Sequence, residues 1–311
     1  MIDLSIIIVN YNTCEIVNNC ISTIIQETKR ILFEIIVVDN ASRDDSVNQI
    51  KKRFPSVRLI ENKFNRGFAA ANNQGISFAK GRYVLFLNSD TIVIDSAVEK
   101  MVNFLEGHLD IDALGCKLLN EDFTLQPSCY HFPSLLPIMG YILHLWLIPS
   151  LKKTILVQTL ILKDYNNVHP VDYVRGACLL VRKHTINKIG VFDEQYFMYT
   201  EEVDFCFRLK KAGFKLYYYP FAEIVHLGGK SSDPKSTELY IEKYKNTMKY
   251  FQKHYGNRKV LTYRFLVMLK LSVQIIERMI CNVSRCLFKQ KIKSNEMNME
   301  LFFWLWRRNE K

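Results

Sequence analysis

The sequence predicts an α/β protein with a mostly parallel sheet flanked by helices, followed by a basic, amphipathic helical tail. Two observations predict the sheet. Apolar runs alternate with segments of helical spacing through the first 119 residues, and the runs are unbroken, which is typical of strands covered on both faces. A third observation predicts the tail: the whole net charge of +11 arises after residue 226, where 18 Lys and Arg accompany 7 Asp and Glu.

The first half supplies five strands and four helices. Ser42 and Asp45 resemble a capping box at the start of the second helix. Strands that alternate with helices indicate right-handed crossovers, so their carboxyl ends share one edge, where such sheets bind ligands. The expected order is strand 4–9, helix 15–30, strand 33–39, helix to 53, strand 57–60, helix 67–80, strand 83–87, helix 97–105 and strand 113–119.

Residues 120–170 interrupt this alternation. Residues 123–151 carry no formal charge and include four prolines, which favours an irregular insertion with a short apolar helix. Its apolar run, 135–148, is shorter than the roughly 20 residues needed to span a bilayer. The fold is expected to resume with a strand at 171–183, a helix from 201 that ends at Gly213, and a strand to 220.

Composition narrows the class of protein. Hydrophobic residues make up 49% of the chain and the mean hydropathy is −0.04, which indicates a globular protein. The eight cysteines form no CxxC pair, which favours reduced thiols in the cytoplasm. No signal peptide is expected, because no basic segment precedes the first apolar run. Nucleic acid is not expected as a partner, since no binding motif accompanies the basic tail.

Polar side chains follow three predicted strands where the strands end. Asn10 and Tyr11 end the first strand, Asp39 and Asn40 end the second, and the segment 88–90 ends the fourth. One polar residue in such a place is usually a helix cap. Three clusters at one edge of a sheet favour a binding site.

The glycines restrict the kind of nucleotide site. Gly67 is the first glycine in the chain, so the turn after strand one is neither a GxGxxG fingerprint nor a P-loop. A glycine-rich nucleotidyltransferase loop is missing at the same place, which disfavours that class of enzyme. Phosphate groups need another partner, and a divalent cation is expected.

Asp90 and His226 are candidate ligands for this cation. Mg²⁺ and Mn²⁺ often take one or two carboxylates together with substrate phosphates, and Asp90 ends an apolar strand. His226 ends another apolar stretch and precedes Gly228 and Gly229. A lone histidine after a strand is more often structural, but the adjacent glycines favour close approach of a ligand.

Glu201, Glu202 and Asp204 form a dense acidic cluster at the start of a predicted helix. They could complement the helix dipole, and Glu201 and Asp204 could instead hold the preceding loop by capping or by pairing with Arg208. Three carboxylates within four residues also repel one another, which raises at least one pKa and suits a general base.

Seven segments form a colinear series over about residues 4–255: "SIIIVNYN", "IIVVDNAS", "NRGFAAANNQG", "FLNSD", "VRGACLLVRK", "GVFDEQYFMYTEEVDFCFRLKKAGF" and "VHLGGKS". Together they resemble the inverting family 2 glycosyltransferases, in particular the bacterial rhamnosyltransferase-like branch. The resemblance implies a GT-A fold for residues 1–256, with a nucleotide-sugar-binding half at 1–119, the insertion at 120–170 and an acceptor and catalytic half at 171–256.

The resemblance also implies residues that bind the nucleotide-sugar donor. Asp39 would contact the base or the ribose of the nucleotide. The other donor-binding residues would be Asn10, Tyr11, Asn40, Asn65, Arg66, Gly67 and Asn72.

The chemistry implied by the resemblance depends on four residues. Asp90 would bind the metal and the diphosphate as the last acid of a DxD-like motif, in which Asn88 replaces the usual first acid. His226 would be a further metal ligand. Glu202 would be the catalytic base, where many relatives have aspartate.

The tail, residues 257–311, has the pattern of an interfacial helix. Apolar residues of the segment 264–288 fall on one helical face, basic residues lie elsewhere, and an aromatic end follows at 299–308. We expect contact with an anionic membrane surface, peripheral on the inner face of the cell membrane. Packing on the domain or on a dimer partner is the alternative.

The sequence therefore predicts a metal-dependent inverting glycosyltransferase of cell-surface polysaccharide synthesis. It would move a sugar, rhamnose by the branch label, from a nucleotide-diphosphate donor to a hydroxyl of a glycan or lipid-linked oligosaccharide, with Mn²⁺ or Mg²⁺. Two alternatives stay open: a catalytically inactive sugar-binding or scaffold protein at the membrane, and a nucleotidyltransferase.

Overall fold

A computed structural model of the chain describes residues 2–143, 164–229, 236–284 and 290–307. The described elements, in chain order, are β1 (Leu4–Asn10), α1 (Cys14–Glu27), β2 (Phe33–Asp39), α2 (Ser46–Arg53), β3 (Arg58–Glu61), α3 (Phe68–Phe78), β4 (Tyr83–Asn88), β5 (Thr91–Val93), α4 (Ala97–Gly107), β6 (Ala113–Leu119), β7 (Leu125–Gln126), β8 (Cys129–Tyr130), α5 (Leu136–Ile142), β9 (His169–Pro170), β10 (Tyr173–Val174), β11 (Cys178–Arg182), α6 (Lys183–Ile189), α7 (Glu201–Lys211), β12 (Leu216–His226), α8 (Thr237–Tyr255), α9 (Asn257–Ser284) and α10 (Gln290–Arg307).

One mixed sheet organises the first of two compact units, which comprises Met1–Phe132 and Ile161–Asp233. The strand order is β3-β2-β1-β4-β11-β6-β12-β5, with β7 and β9 as short additions to β6 and β12. β1 is parallel to β2 and β4, β2 to β3, and β6 to β12. The predicted α/β fold with a mostly parallel sheet is confirmed.

The strand predicted at 171–183 is divided in the structure. Tyr173–Val174 pairs with β8 in a separate ribbon, and only Cys178–Arg182 enters the sheet, antiparallel to both β4 and β6. β11 starts opposite Leu87, near the carboxyl end of β4. Arg175 and Gly176, just before β11, therefore lie at the edge where β1, β2 and β4 end.

Helices cover both faces of this sheet. Successive residues of β1 point to opposite faces, so Ile6 and Ile8 pack with Ile21 of α1 in one apolar cluster, while Ile7 packs with Phe205 of α7 in the other. All five side chains are fully buried. Burial on both faces explains why the strand sequences are unbroken apolar runs.

The second compact unit comprises Pro133–Leu160 and Pro234–Lys311, and its described helices are α5, α8, α9 and α10. α9 packs against the other three helices. Val267 and Leu271 of α9 and Leu301 and Leu305 of α10 are buried at four-residue spacing, which places each pair on one helical face. These residues form the interior of the unit.

The sequence predicts a tail that starts at residue 257. In the structure the second unit also includes α8, which packs with the tail helices. The Phe251 ring of α8 lies 5.0 Å from the Tyr263 ring of α9, and the Tyr240 hydroxyl donates to Asn298 Oδ1 of α10 at 3.0 Å. No helix in the described ranges combines the length and the apolar composition that crossing a bilayer requires.

Candidate active site

The ends of β1 and β2 hold Asp39 in a hydrogen-bond network. Buried Asn10 Nδ2 donates to Asp39 Oδ2 at 2.8 Å and to Ser42 Oγ at 3.1 Å. Asp39 Oδ1 accepts from the Ser42 N–H at 2.9 Å. The expected capping box at Ser42 is wrong: α2 begins at Ser46, and the Ser42 hydroxyl accepts instead from Asn10 and from the Asn12 N–H at 2.9 Å.

Asn40 connects the end of β2 with the segment before α3. Its Nδ2 donates to the Gly67 carbonyl at 3.1 Å, and its Oδ1 accepts from the Arg66 N–H at 3.3 Å. The Gly67 N–H donates to Asn65 Oδ1 at 2.9 Å. Gly67 has a φ of 83°, and a side chain there would collide with the Phe197 carbonyl. The site therefore needs glycine at this position.

Tyr11 and Asn72, two further predicted donor-binding residues, differ in their surroundings. Tyr11 follows Asn10 at the edge of the sheet and is half-buried. Asn72 is almost fully buried in α3, where its amide nitrogen donates to the Phe68 carbonyl at 2.9 Å. Their contacts with a donor stay predictions.

Asp90 and His226 meet because β5 pairs with the end of β12. The antiparallel register puts His226 opposite Thr91, and the Leu227 N–H donates to the Asp90 carbonyl at 2.9 Å. His226 Nε2 lies 3.2 Å from Asp90 Oδ1 and 3.4 Å from Asn88 Nδ2. The structure thus brings Asn88, Asp90 and His226 into one cluster, in which Asp90 and His226 are buried.

The donor atoms of this cluster suit a divalent cation. Carboxylate oxygen is a preferred ligand of Mn²⁺ and Mg²⁺, and a neutral imidazole supplies a nitrogen ligand. Within the described ranges, no group of three or more His, Cys, Asp and Glu side chains could hold an ion by itself. Asp90 and His226 therefore offer a divalent cation one carboxylate and one imidazole as ligands.

The three acidic residues of α7 have different surroundings. Asp204 is fully buried and accepts from Arg208 Nε at 2.8 Å. Burial, with the charge of Glu202, raises the pKa of the Glu201 carboxyl well above its ordinary value. Glu202 is half-buried beside Gly176, where an added Cβ would lie 3.6 Å from Glu202 Cβ. Glu202 is the most exposed residue of the three, although its Oε2 atom is buried.

The raised pKa of Glu201 makes the stability of the fold depend on pH. A carboxyl with a higher pKa in the folded chain favours folding at low pH, and this contribution is lost as the pH rises above the unfolded value near 4.5. Glu201→Gln stays neutral at every pH. Its melting temperature relative to wild type should therefore increase from about pH 5 to about pH 8.

Thermal unfolding across this pH range measures the difference. Glu121 is exposed, so Glu121→Gln is the control for the loss of a carboxylate that is not buried. If the difference in melting temperature between Glu201→Gln and wild type stays constant with pH, the raised pKa of the Glu201 carboxyl is contradicted.

A row of aromatic rings lies on the β8–β10 ribbon, and no pattern in the sequence predicts it. Tyr130 and Tyr173 stack across the β8–β10 ribbon with centroids 5.2 Å apart, and the Phe132 ring lies 6.2 Å from that of Tyr173. Burial, and then the charge of Glu202, raise the pKa of Tyr173. The pairing joins Tyr130, inside the segment 120–170, with Tyr173, just after it, and leaves no local pattern in the sequence.

Similar proteins support the family suggested by the motifs. Residues 5–158 match the family described as glycosyl transferase family 2. An N-acetylglucosaminyl-diphospho-decaprenol L-rhamnosyltransferase of Mycobacterium tuberculosis is 29% identical over 220 residues, which cover 65% of this chain and 69% of that protein. Rhamnosyltransferase WbbL of Escherichia coli is 27% identical over 229 residues, which cover 70% of this chain and 81% of that protein.

Two solved structures share the fold. GalNAc-T7, solved with UDP, GalNAc and Mn²⁺, has a TM-score of 0.60 at 15% identity, with 99% of this chain and 56% of that chain covered. A mannosyltransferase from Pyrobaculum calidifontis, solved with GDP-Man and Mn²⁺, has a TM-score of 0.57 at 15% identity, with 96% and 84% covered. Residues 5–158 thus form a glycosyl transferase family 2 domain, and the chain has the GT-A fold that its seven motifs predict.

Proposed function

We propose that this glycosyltransferase moves a sugar, with inversion, from a nucleotide-diphosphate donor to an acceptor hydroxyl. A run of contacts along one edge of the sheet carries the proposal. The Asn88 N–H donates to the Ala177 carbonyl at 3.0 Å, Ala177 follows Gly176, and Gly176 lies beside Glu202. The candidate base therefore lies one strand away from the segment that holds Asp90.

The donor would bind along the ends of β1 and β2. Asp39, oriented by Asn10 and Ser42, would accept hydrogen bonds from the ribose or the base, beside Tyr11. Asn40 and the segment 65–67 form the adjoining wall, where the backbone of Gly67 allows close approach. This arrangement supports a nucleotide site that works without a glycine-rich phosphate loop.

The residues divide the reaction into two parts. Glu202 takes the proton of the acceptor hydroxyl while the oxygen of that hydroxyl forms a bond to the anomeric carbon. The bond from that carbon to the diphosphate oxygen breaks on the opposite face, which inverts the configuration. Asp90 and His226 would hold a divalent cation, which when bound neutralises charge on the leaving diphosphate.

The substrate classes are proposed from relatives. The mycobacterial relative is named as a rhamnosyltransferase for a diphospho-decaprenol-linked sugar, and WbbL is also named as a rhamnosyltransferase. We therefore expect rhamnose as the sugar and a glycan or lipid-linked oligosaccharide of cell-surface polysaccharide synthesis as the acceptor.

A panel of nucleotide sugars tests the proposal. The chain should be stabilised against heat by dTDP-rhamnose in the presence of Mn²⁺, and it should transfer rhamnose to a polyprenyl-diphosphate-linked sugar. Stabilisation without transfer to any acceptor would favour the inactive sugar-binding alternative. No stabilisation by any nucleotide sugar would contradict the donor site.

The second unit is proposed to lie on the cytoplasmic face of the membrane. Val267 and Leu271 lie on the buried face of α9. The exposed apolar residues of the same helix therefore lie on a different face, where they form a second stripe. The excess of basic residues after residue 226 suits anionic lipid. Large apolar side chains are exposed at helical spacing on three helices: Leu136 and Met139 on α5, Leu261, Phe265, Leu269 and Ile276 on α9, and Met299, Phe303 and Trp306 on α10.

Replacing three of these exposed side chains should release the protein from vesicles. Phe265→Gln, Ile276→Gln and Phe303→Gln together should weaken binding to phosphatidylglycerol vesicles about 100-fold, if each change removes about 1 kcal/mol of apolar burial. Sedimentation with vesicles measures this effect.

A matched triple variant in the first unit is the control. Phe64, Leu109 and Phe221 are also exposed there, and their replacement by Gln should leave vesicle binding unchanged. Equal binding by both triple variants, with melting temperatures close to wild type, would contradict the membrane surface.

A further inference from the structure

Gln126 contacts the candidate metal ligand His226 and has no assigned role. Its side chain is 8% exposed. Gln126 Oε1 lies 2.6 Å from His226 Nδ1 and accepts from Arg175 Nη1 at 3.0 Å. Gln126 Nε2 donates to the His226 carbonyl at 3.0 Å and to Asn120 Oδ1 at 2.9 Å. One amide therefore contacts both the ring and the backbone of His226.

Arg175 fixes the orientation of this amide. A guanidinium group has only donors, so the Gln126 atom that faces it must be the carbonyl oxygen. The same oxygen faces His226 Nδ1. Because a carbonyl oxygen only accepts hydrogen bonds, Nδ1 must have the hydrogen.

This assignment determines what His226 presents to Asp90. In a neutral ring with hydrogen on Nδ1, Nε2 has a lone pair, and this atom lies 3.2 Å from Asp90 Oδ1. The Asn88 amide nitrogen, 3.4 Å from Nε2, is consistent with an acceptor there. Two acceptor atoms that face each other at this distance suit a positive ion shared between them.

We infer that Gln126, supported by Arg175, is a positioning residue that holds His226 in the tautomer able to bind a metal ion through Nε2. Partners of this kind commonly fix the ring orientation and tautomer of metal-binding histidines. The inference rests on the proposed metal role of Asp90 and His226. Gln126 would act through His226 without touching the substrate.

Two measurements test this inference without assaying activity. The first is the tautomer of His226 in metal-free protein, from two-bond ¹H–¹⁵N correlations at about pH 8.5, well above the ordinary histidine pKa of about 6.5. Wild type should have hydrogen on Nδ1, and Gln126→Leu should shift it to Nε2. The second is the affinity for Mn²⁺ alone, from the electron paramagnetic resonance signal of free Mn²⁺.

Gln126→Leu should raise the Mn²⁺ dissociation constant about 10–100-fold. Gln126→Glu keeps an acceptor for His226 Nδ1 and for Arg175, so it should bind Mn²⁺ at least as tightly as wild type. Asn120→Ala removes the other partner of the Gln126 amide nitrogen, together with the bonds that the Asn120 amide donates to Thr124 and Leu125, and should leave the affinity unchanged. In a His226→Ala background, Gln126→Leu should have no further effect.

The outcomes separate this inference from the proposed function. A wild-type ring with hydrogen on Nε2 would overturn the inference, as would equal Mn²⁺ affinity in wild type and Gln126→Leu. Equal loss in Gln126→Leu, Gln126→Glu and Asn120→Ala would make Gln126 a structural residue only. If wild type binds Mn²⁺ neither alone nor with a nucleoside diphosphate present, the metal role fails, and the tautomer measurement still decides whether Gln126 orients His226.

Discussion

Glu202→Gln is expected to lower the rate of sugar transfer by about 10²–10⁴-fold, while donor binding with Mn²⁺ stays close to wild type. Glutamine keeps the size of glutamate but cannot take a proton. A sugar hydroxyl is a weak nucleophile until its proton is removed as the new bond forms. The change should therefore lower the rate of the chemical step, which single-turnover kinetics measures, and leave the donor dissociation constant from calorimetry unchanged.

Glu201→Gln and Asp204→Asn are matched neighbours on α7. The Glu201 carboxyl is buried with a raised pKa, so we expect Glu201→Gln to keep turnover close to wild type. Asp204 accepts from Arg208 at 2.8 Å, and Asp204→Asn should mainly lower the melting temperature. Normal turnover in Glu202→Gln with loss in Glu201→Gln would move the base to Glu201. Loss of donor binding in Glu202→Gln would make it a donor-site residue.

Asp90→Asn should abolish the dependence of donor binding on Mn²⁺. The amide keeps the shape of the side chain and one oxygen, but it removes the negative charge that a hard cation prefers. Replacing a residue that only supports a metal ligand typically lowers metal affinity by up to about 100-fold. Asp90 would be a direct ligand, so we expect donor affinity in the presence of Mn²⁺ to fall by more than that. Calorimetry with and without Mn²⁺ measures this change.

Two variants complete the comparison. Asp95 is exposed and pairs with Lys100, so Asp95→Asn controls for the loss of one negative charge after β5. Asn88→Asp restores an acid at the first position of the DxD-like segment and should strengthen Mn²⁺ binding. Unchanged donor affinity in Asp90→Asn would assign Asp90 a structural role beside the β5–β12 pair.

The strands of the first 119 residues could be predicted because their signals are local. The first strand is predicted at 4–9 and found at Leu4–Asn10, and the fourth is predicted at 83–87 and found at Tyr83–Asn88. Unbroken apolar runs and polar residues after them depend only on neighbouring residues. The placement of Asn10 beside Asp39 follows from parallel pairing of the first two strands.

The remaining features depend on contacts that the sequence does not encode locally. β11 is antiparallel because the β8–β10 ribbon brings the chain back to the carboxyl edge. The prediction of a capping box at Ser42 is wrong because the Ser42 hydroxyl accepts a hydrogen bond from Asn10 of β1 and does not cap α2. Gln126 follows an ordinary turn sequence, and its relation to His226 spans 100 residues.

The β5–β12 pairing also affects the order in which the enzyme can assemble. Asn88 and His226 are 138 residues apart, so a large loop must close before their contact adds stability. The Asn10–Asp39 pair needs only the first quarter of the chain. During synthesis, the nucleoside side of the site can therefore form while the cation side still lacks its histidine. Pulsed hydrogen exchange at the amides of β2 and β12 would follow this order. Topology would thus keep a nascent chain from holding a complete donor site before its last strand is in place.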